Sequence, residues 1–187
     1  MGLRSGEHGY GAVTKVLHWA TVVALGVQFT VGYFMDVDDS GHGRGRGRGR
    51  GGDSGRGRGR GGDDDEGLTG IADRLSDPLV AVHVVLGLTI LLLAVLRMTW
   101  RKLDALPPWA EGLSHRERRL AHVTERVLLA MLVLMPLTGI SVLLGDDDLL
   151  WLHVGSHVVF FAALAAHLGL VAKHTLVDRD GLLGRML

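Results

Sequence analysis

The chain has 187 residues, 47% of them hydrophobic, no Cys, and 20 Lys plus Arg against 20 Asp plus Glu. The neutral total conceals unlike parts: residues 41–62 contain only Gly, Arg, Asp, Ser and His and carry +6, leaving −6 and all of the apolar content to the rest. A remainder more than half apolar excludes a simple water-soluble globule, and the lack of Cys excludes disulfide frameworks, thiolate metal sites, iron–sulfur clusters and cysteine nucleophiles, so any metal must be held by His, carboxylate or Met.

Four stretches contain no Asp, Glu, Lys or Arg: Val16–Met35, Leu79–Leu96, Val127–Gly145 and Leu149–Ala172. Each approaches the ~20 residues that cross a bilayer core. There every backbone polar group must be paired internally, so such spans are helices. The expected fold is all-α: an integral membrane four-helix bundle, one domain over 1–187, with helices at about 14–35, 79–100, 120–145 and 149–174. Buried core helices of a soluble protein are the competing reading, but four of them would leave too little polar surface to cover. A cleaved signal peptide fits the first span poorly, because His18 lies inside it and no small-x-small pattern follows Phe34.

The first span places His18 near its start. Residues 36–78 then form a loop whose alternating Gly-Arg pattern has nothing apolar to bury, and it is expected to be disordered. Out of context it resembles an RNA-binding arginine-glycine segment. Between two membrane helices, a solvated linker or an electrostatic contact with headgroups or a small anion is favoured, and no nucleic-acid partner is expected. The acidic run Asp63 to Glu66 can pair with these arginines.

The second span places His83 near its start, with Arg97, Trp100, Arg101 and Lys102 at its end. The third carries Pro136 and Gly139. The fourth carries His153, His157 and His167 and is followed by Lys173 and His174. An ionisable side chain at membrane depth is costly and points to function. His153 and His167 are 14 residues apart, which leaves them ~40° from whole turns, on one face but roughly 21 Å apart along the axis. They therefore belong to two sites on opposite sides of the membrane. His18 lies level with His167, and His83 with His153.

Two imidazoles on facing helices can supply both axial ligands of a haem iron, each with its other ring nitrogen held by an acceptor that the sequence does not identify. Small residues such as Gly87 and Gly155 offer room for a macrocycle or serve close helix packing. His157, one turn after His153, is an alternative ligand at the outer site. It also forms an i, i+4 pair with His153, which keeps open a metal transporter without haem, although the spans offer no carboxylate to assist.

Orientation follows Lys and Arg near the helix ends. With both termini cytoplasmic, the inner side holds twelve basic and seven acidic residues and the outer side eight basic and thirteen acidic. Arg97, Arg101 and Lys102 directly after the second span favour that arrangement, with Trp100 as an interface anchor.

Leu17-His18-Trp19, His83 followed by Gly87 and Arg97, the MPLTG stretch with Pro136 and Gly139, and Trp151, His153, His167, Lys173-His174 with the ending DRDGLLGRML together resemble the bacterial cytochrome b561 family of four-helix, di-haem membrane cytochromes. The resemblance implies two b-type haems, one on His18 and His167 and the other on His83 and His153, in the bacterial inner membrane. It further implies electron transfer between a membrane quinone and a surface partner, superoxide oxidation coupled to quinone reduction being one activity of the family. A cytochrome b subunit anchoring a dehydrogenase or hydrogenase is the alternative. Quinone contacts are expected from His174, seven residues after His167 on almost the same face, with Lys173 and Arg97 as neighbours. The long Gly-Arg insertion departs from the usual short outer loop without removing a ligand. Its seven arginines could steer superoxide toward the outer surface.

Overall fold

The computed structural model describes residues 2–6, 9–35, 63–104, 107–108, 113–179, 184 and 186. The expectation of disorder over residues 36–62 concerns residues outside that set. The elements are α1 (Ala12–Phe34), α2 (Asp63–Arg74), α3 (Pro78–Leu103), α4 (His115–Leu143), a single 3-10 turn (Asp147–Leu149) and α5 (Leu150–Ala172), which runs into a wide π-turn (Lys173–Asp178). Four helices, α1, α3, α4 and α5 with its turn, are long and apolar enough to cross a membrane. No strand occurs among the described residues.

Local chemistry sets the boundaries. Asp77 caps α3 by accepting from the Leu79 and Val80 amides at 2.7 and 3.4 Å, with Pro78 in the first turn where its missing N–H costs nothing. Arg101 and Lys102 face the negative end of the same helix. Ser114 and Glu117 form a reciprocal capping box at the start of α4. Gly145, at φ 102°, turns the chain out of α4. Within the spans, Thr21, Thr89, Thr124, Thr138 and Ser141 return their hydroxyls to carbonyls of the preceding turn. That satisfies polar atoms that hydrocarbon cannot.

The C-terminal part of the expected loop is not featureless, since α2 occupies residues 63–74. Arg74 in its last turn suits the helix dipole. Arg74 Nη1 also donates to the Val142 carbonyl at 2.6 Å, tying α2 to the end of α4.

Helix α1 packs on α3, α3 on α4, and α4 on α5. Ile90, Ala94 and Leu132 form the buried centre, flanked by Ala24, Leu25, Leu129 and Val133. Phe29 closes the ring of helices from α1 to α5, its centroid 4.7 Å from Phe161 and 5.3 Å from Phe160. The outward surface is apolar: Phe34, Trp151 and Val158 are all more than 70% exposed. In a membrane this is the lipid-facing side.

At the end carrying both termini, the N-terminal segment hooks over the bundle. Ser5 donates through its amide to both Asp104 carboxylate oxygens at 3.1 Å and through its hydroxyl to Oδ2 at 2.6 Å. Ser5 Oγ in turn accepts from the Gly11 amide at 3.1 Å. The hydroxyl of Ser5 and its amide hold the Asp104 carboxyl below the usual carboxylate range. A side chain at Gly11 would meet the Leu3 carbonyl oxygen and Arg4 carbonyl carbon at 2.4 Å, so the hook needs glycine there.

Candidate functional site

At the end remote from the termini, α1, α3, α4 and α5 leave an open-sided cleft. It is lined by Gln28, Phe29 and Gly32 of α1, His83 and Gly87 of α3, Met135, Pro136 and Gly139 of α4, and His153 and His157 of α5. Counted out to its open mouth, solvent included, the empty space is about 780 Å³.

His83 and His153 face each other with centroids 6.4 Å apart and planes at 76°. Two imidazole nitrogens ~2.0–2.1 Å from a shared metal, with ~1 Å more to each ring centre, put collinear rings ~6 Å apart. The spacing therefore suits two axial ligands.

The ring nitrogens agree. His153 Nδ1 donates to the Met135 carbonyl oxygen at 3.0 Å, with the Thr138 hydroxyl 3.1 Å away, so Nε2 keeps its lone pair. The Gln28 amide nitrogen donates to His83 Nε2 at 3.0 Å, so His83 also holds its lone pair on Nε2 and its proton on Nδ1. His83 Nδ1 and Gln28 Oε1 are buried without hydrogen-bond partners. Both rings thus leave Nε2 without a proton, and the Gln28 amide stands at that of His83.

Glycine makes room for both rings. A Cβ at Gly32 would stand 3.0 Å from His83 Cε1, and one at Gly139 would stand 3.2 Å from His153 Cε1. His157 lies 5.3 Å from His153 but turns its edge to Phe29, 5.2 Å away. The structure brings all three expected outer histidines together, and only His153 among the α5 pair has a carbonyl holding its second nitrogen.

At the other end, His18 of α1 and His167 of α5 lie close enough to interact electrostatically, and Arg97 of α3 acts on both. Arg97 Nη1 donates to His18 Nδ1 at 3.0 Å. Trp19 stands edge-on to His18, at 5.5 Å, and its indole donates to the Met186 carbonyl.

The three residues expected to share a quinone contact divide into two groups. Arg97 engages His18, whereas Lys173 and His174 meet carboxylates. Lys173 Nζ lies 2.7 Å from Glu117 and 2.6 Å from Asp178. His174, 2% exposed, places Nδ1 3.1 Å from Asp178 Oδ2. Glu117, His174 and Asp178 offer ligand atoms within 4.8 Å of one another, a spacing open to a cation. The Lys173 ammonium already pairs with both carboxylates.

Gln28 and Met135 went unrecognised in the sequence. Gln28 carried a signal, being the chain's single glutamine and lying in a charge-free span. Met135 acts through its backbone and carried none.

No curated protein and no solved structure matches the chain. The family model for prokaryotic cytochrome b561 matches residues 9–187. That match runs through all four spans and every histidine placed above; the chain belongs to the prokaryotic cytochrome b561 family, and is a multi-pass, haem b-binding membrane cytochrome of electron transfer.

Proposed function

We propose that the protein is a di-haem cytochrome that passes electrons across the membrane to or from a quinone, with His83 and His153 holding one haem and His18 and His167 the other. The observation that carries this reading is the meeting of His83 and His153 at 6.4 Å in a cleft, each with its lone pair on Nε2. A haem held by each histidine pair would supply reversible one-electron chemistry. The chain's own residues set ligand geometry and access. His153 is preferred to His157 as ligand because the Met135 carbonyl fixes its orientation.

On this reading both termini are cytoplasmic, and the quinone meets the bundle near His174 and Lys173. Quinone reduction takes up protons, and the hydrogen bond from buried His174 to the partly exposed Asp178 offers a route from water. Superoxide is the donor to test first at the opposite surface. A subunit that anchors a separate dehydrogenase or hydrogenase would instead co-purify with that partner.

Pyridine haemochrome analysis of the purified protein should give two b-type haems per chain, and His18→Ala and His83→Ala should each remove one. A preparation with no reduced b-type α band would reject the cytochrome reading and leave the histidine-based metal transporter. His174→Ala should retain both haems and slow reoxidation by a soluble quinone. Equal rates would remove His174 from the quinone site. Haem reduction by a superoxide source, unchanged by superoxide dismutase, would exclude that donor.

A further inference from the structure

Arg97 stands toward the C-terminal end of α3, directly after the charge-free stretch, partly buried, and among the described residues no carboxylate pairs with it. The nearby carboxylates are committed: Glu125 to Arg101, Asp104 to Ser5, and Glu117 and Asp178 to Lys173. Its recorded partner is the neutral ring of His18. A partly buried charge is costly without an anion and usually has one in the working protein.

The contact with His18 is also of the wrong kind for a ligand. A guanidinium has only donors, so His18 Nδ1 must accept, and the ring proton then sits on Nε2. That is the reverse of His83 and His153, whose lone pairs are on Nε2. For His18 to bind iron through Nε2, Arg97 must leave Nδ1. A guanidinium leaving a neutral acceptor needs another partner, and a carboxylate matches its fork best.

Position agrees. Arg97 follows His83 by 14 residues on α3, the same spacing that separates His153 from His167 on α5. Arg97 is therefore on the His83 face of its helix, one site further along, directed at the His18 and His167 pair.

We propose that Arg97 binds a propionate carboxylate on the rim of the haem held by His18 and His167, and that this contact frees His18 to turn its lone pair to the iron. The proposal rests on the di-haem reading above. It assigns Arg97 to cofactor docking rather than to the quinone.

The test uses the full-length His83→Ala chain, which retains only the His18 and His167 site, prepared without haem and titrated with haem b or with its dimethyl ester. The ester has the same ring and iron but no rim charge. Formation of the bis-histidine absorption spectrum gives the affinity for each. With Arg97 present, haem b should bind about tenfold more tightly than the ester. Arg97→Gln should abolish that preference, weakening haem b while leaving the ester little changed, and Arg97→Lys should keep part of it. Helicity by circular dichroism checks that each variant is folded, and the preference is a ratio that general loosening of the site does not alter. An unchanged preference in Arg97→Gln would overturn the assignment. Failure of the Arg97-containing chain to take up either porphyrin would reject the His18 and His167 haem site itself, and the proposal with it.

Discussion

His153 directs Nδ1 at the Met135 carbonyl oxygen, 3.0 Å away on the neighbouring helix, while its ring edge lies against the bare Cα of Gly139. The ring is held on one side by a hydrogen bond and on the other by the absence of a side chain. On the di-haem reading, Gly139→Val should therefore push the ring off its line to His83 and release one haem, with little loss of helicity. Gly32→Val should do the same through His83. Haem-to-protein ratios by pyridine haemochrome check both, and a ratio of two in either variant would show that the close approach is not required.

Substituting the two neighbouring histidines of α5 separates ligand from bystander. His153→Ala should lose a haem and His157→Ala should keep both, its ring being replaced by a smaller group beside Phe29. The reverse pattern in the reduced spectra would make His157 the ligand.

Asp104 gives a pH dependence whose sign is fixed. Its carboxyl is held below 3.8 in the folded chain by Ser5. The contribution is fully present above 3.8, and is lost as pH falls through the lower folded value. Thermal denaturation in detergent should show the native protein losing more stability on acidification than Asp104→Ala. At neutral pH the variant should be less stable by about 1.5–3 kcal/mol, the range for hydrogen bonds to a charged group. Parallel pH profiles for the two proteins would contradict this.

Gly11→Ala should release the same hook by a different route, since the added methyl meets backbone atoms of Leu3 and Arg4 rather than a yielding side chain. Limited proteolysis should cut the N-terminal segment faster in this variant. The double variant with Asp104→Ala should be no more susceptible than either single one, because both remove one structure. Additive effects would mean that the two residues act separately.

The spans were legible because charge is expensive in hydrocarbon, so four charge-free runs marked α1, α3, α4 and α5, although α4 begins twelve residues before its run, at His115. The 14 residues between His153 and His167 put the two at different depths on one face of α5, and His83 lies beside His153. What escaped was held by backbone or by distance along the chain. The Met135 carbonyl has no side-chain signature, and Ser5 meets Asp104 across 99 positions. The projection of His174 onto the His167 face assumed a regular helix, whereas the chain widens into a π-turn from Lys173 and binds His174 to Asp178.

The bond from Arg74 to the Val142 carbonyl, followed at once by the Asp77 cap and Pro78, fastens the chain to the bundle just before α3 begins. On the di-haem reading, a tag inserted ahead of this clamp should therefore leave haem binding at His83 unchanged.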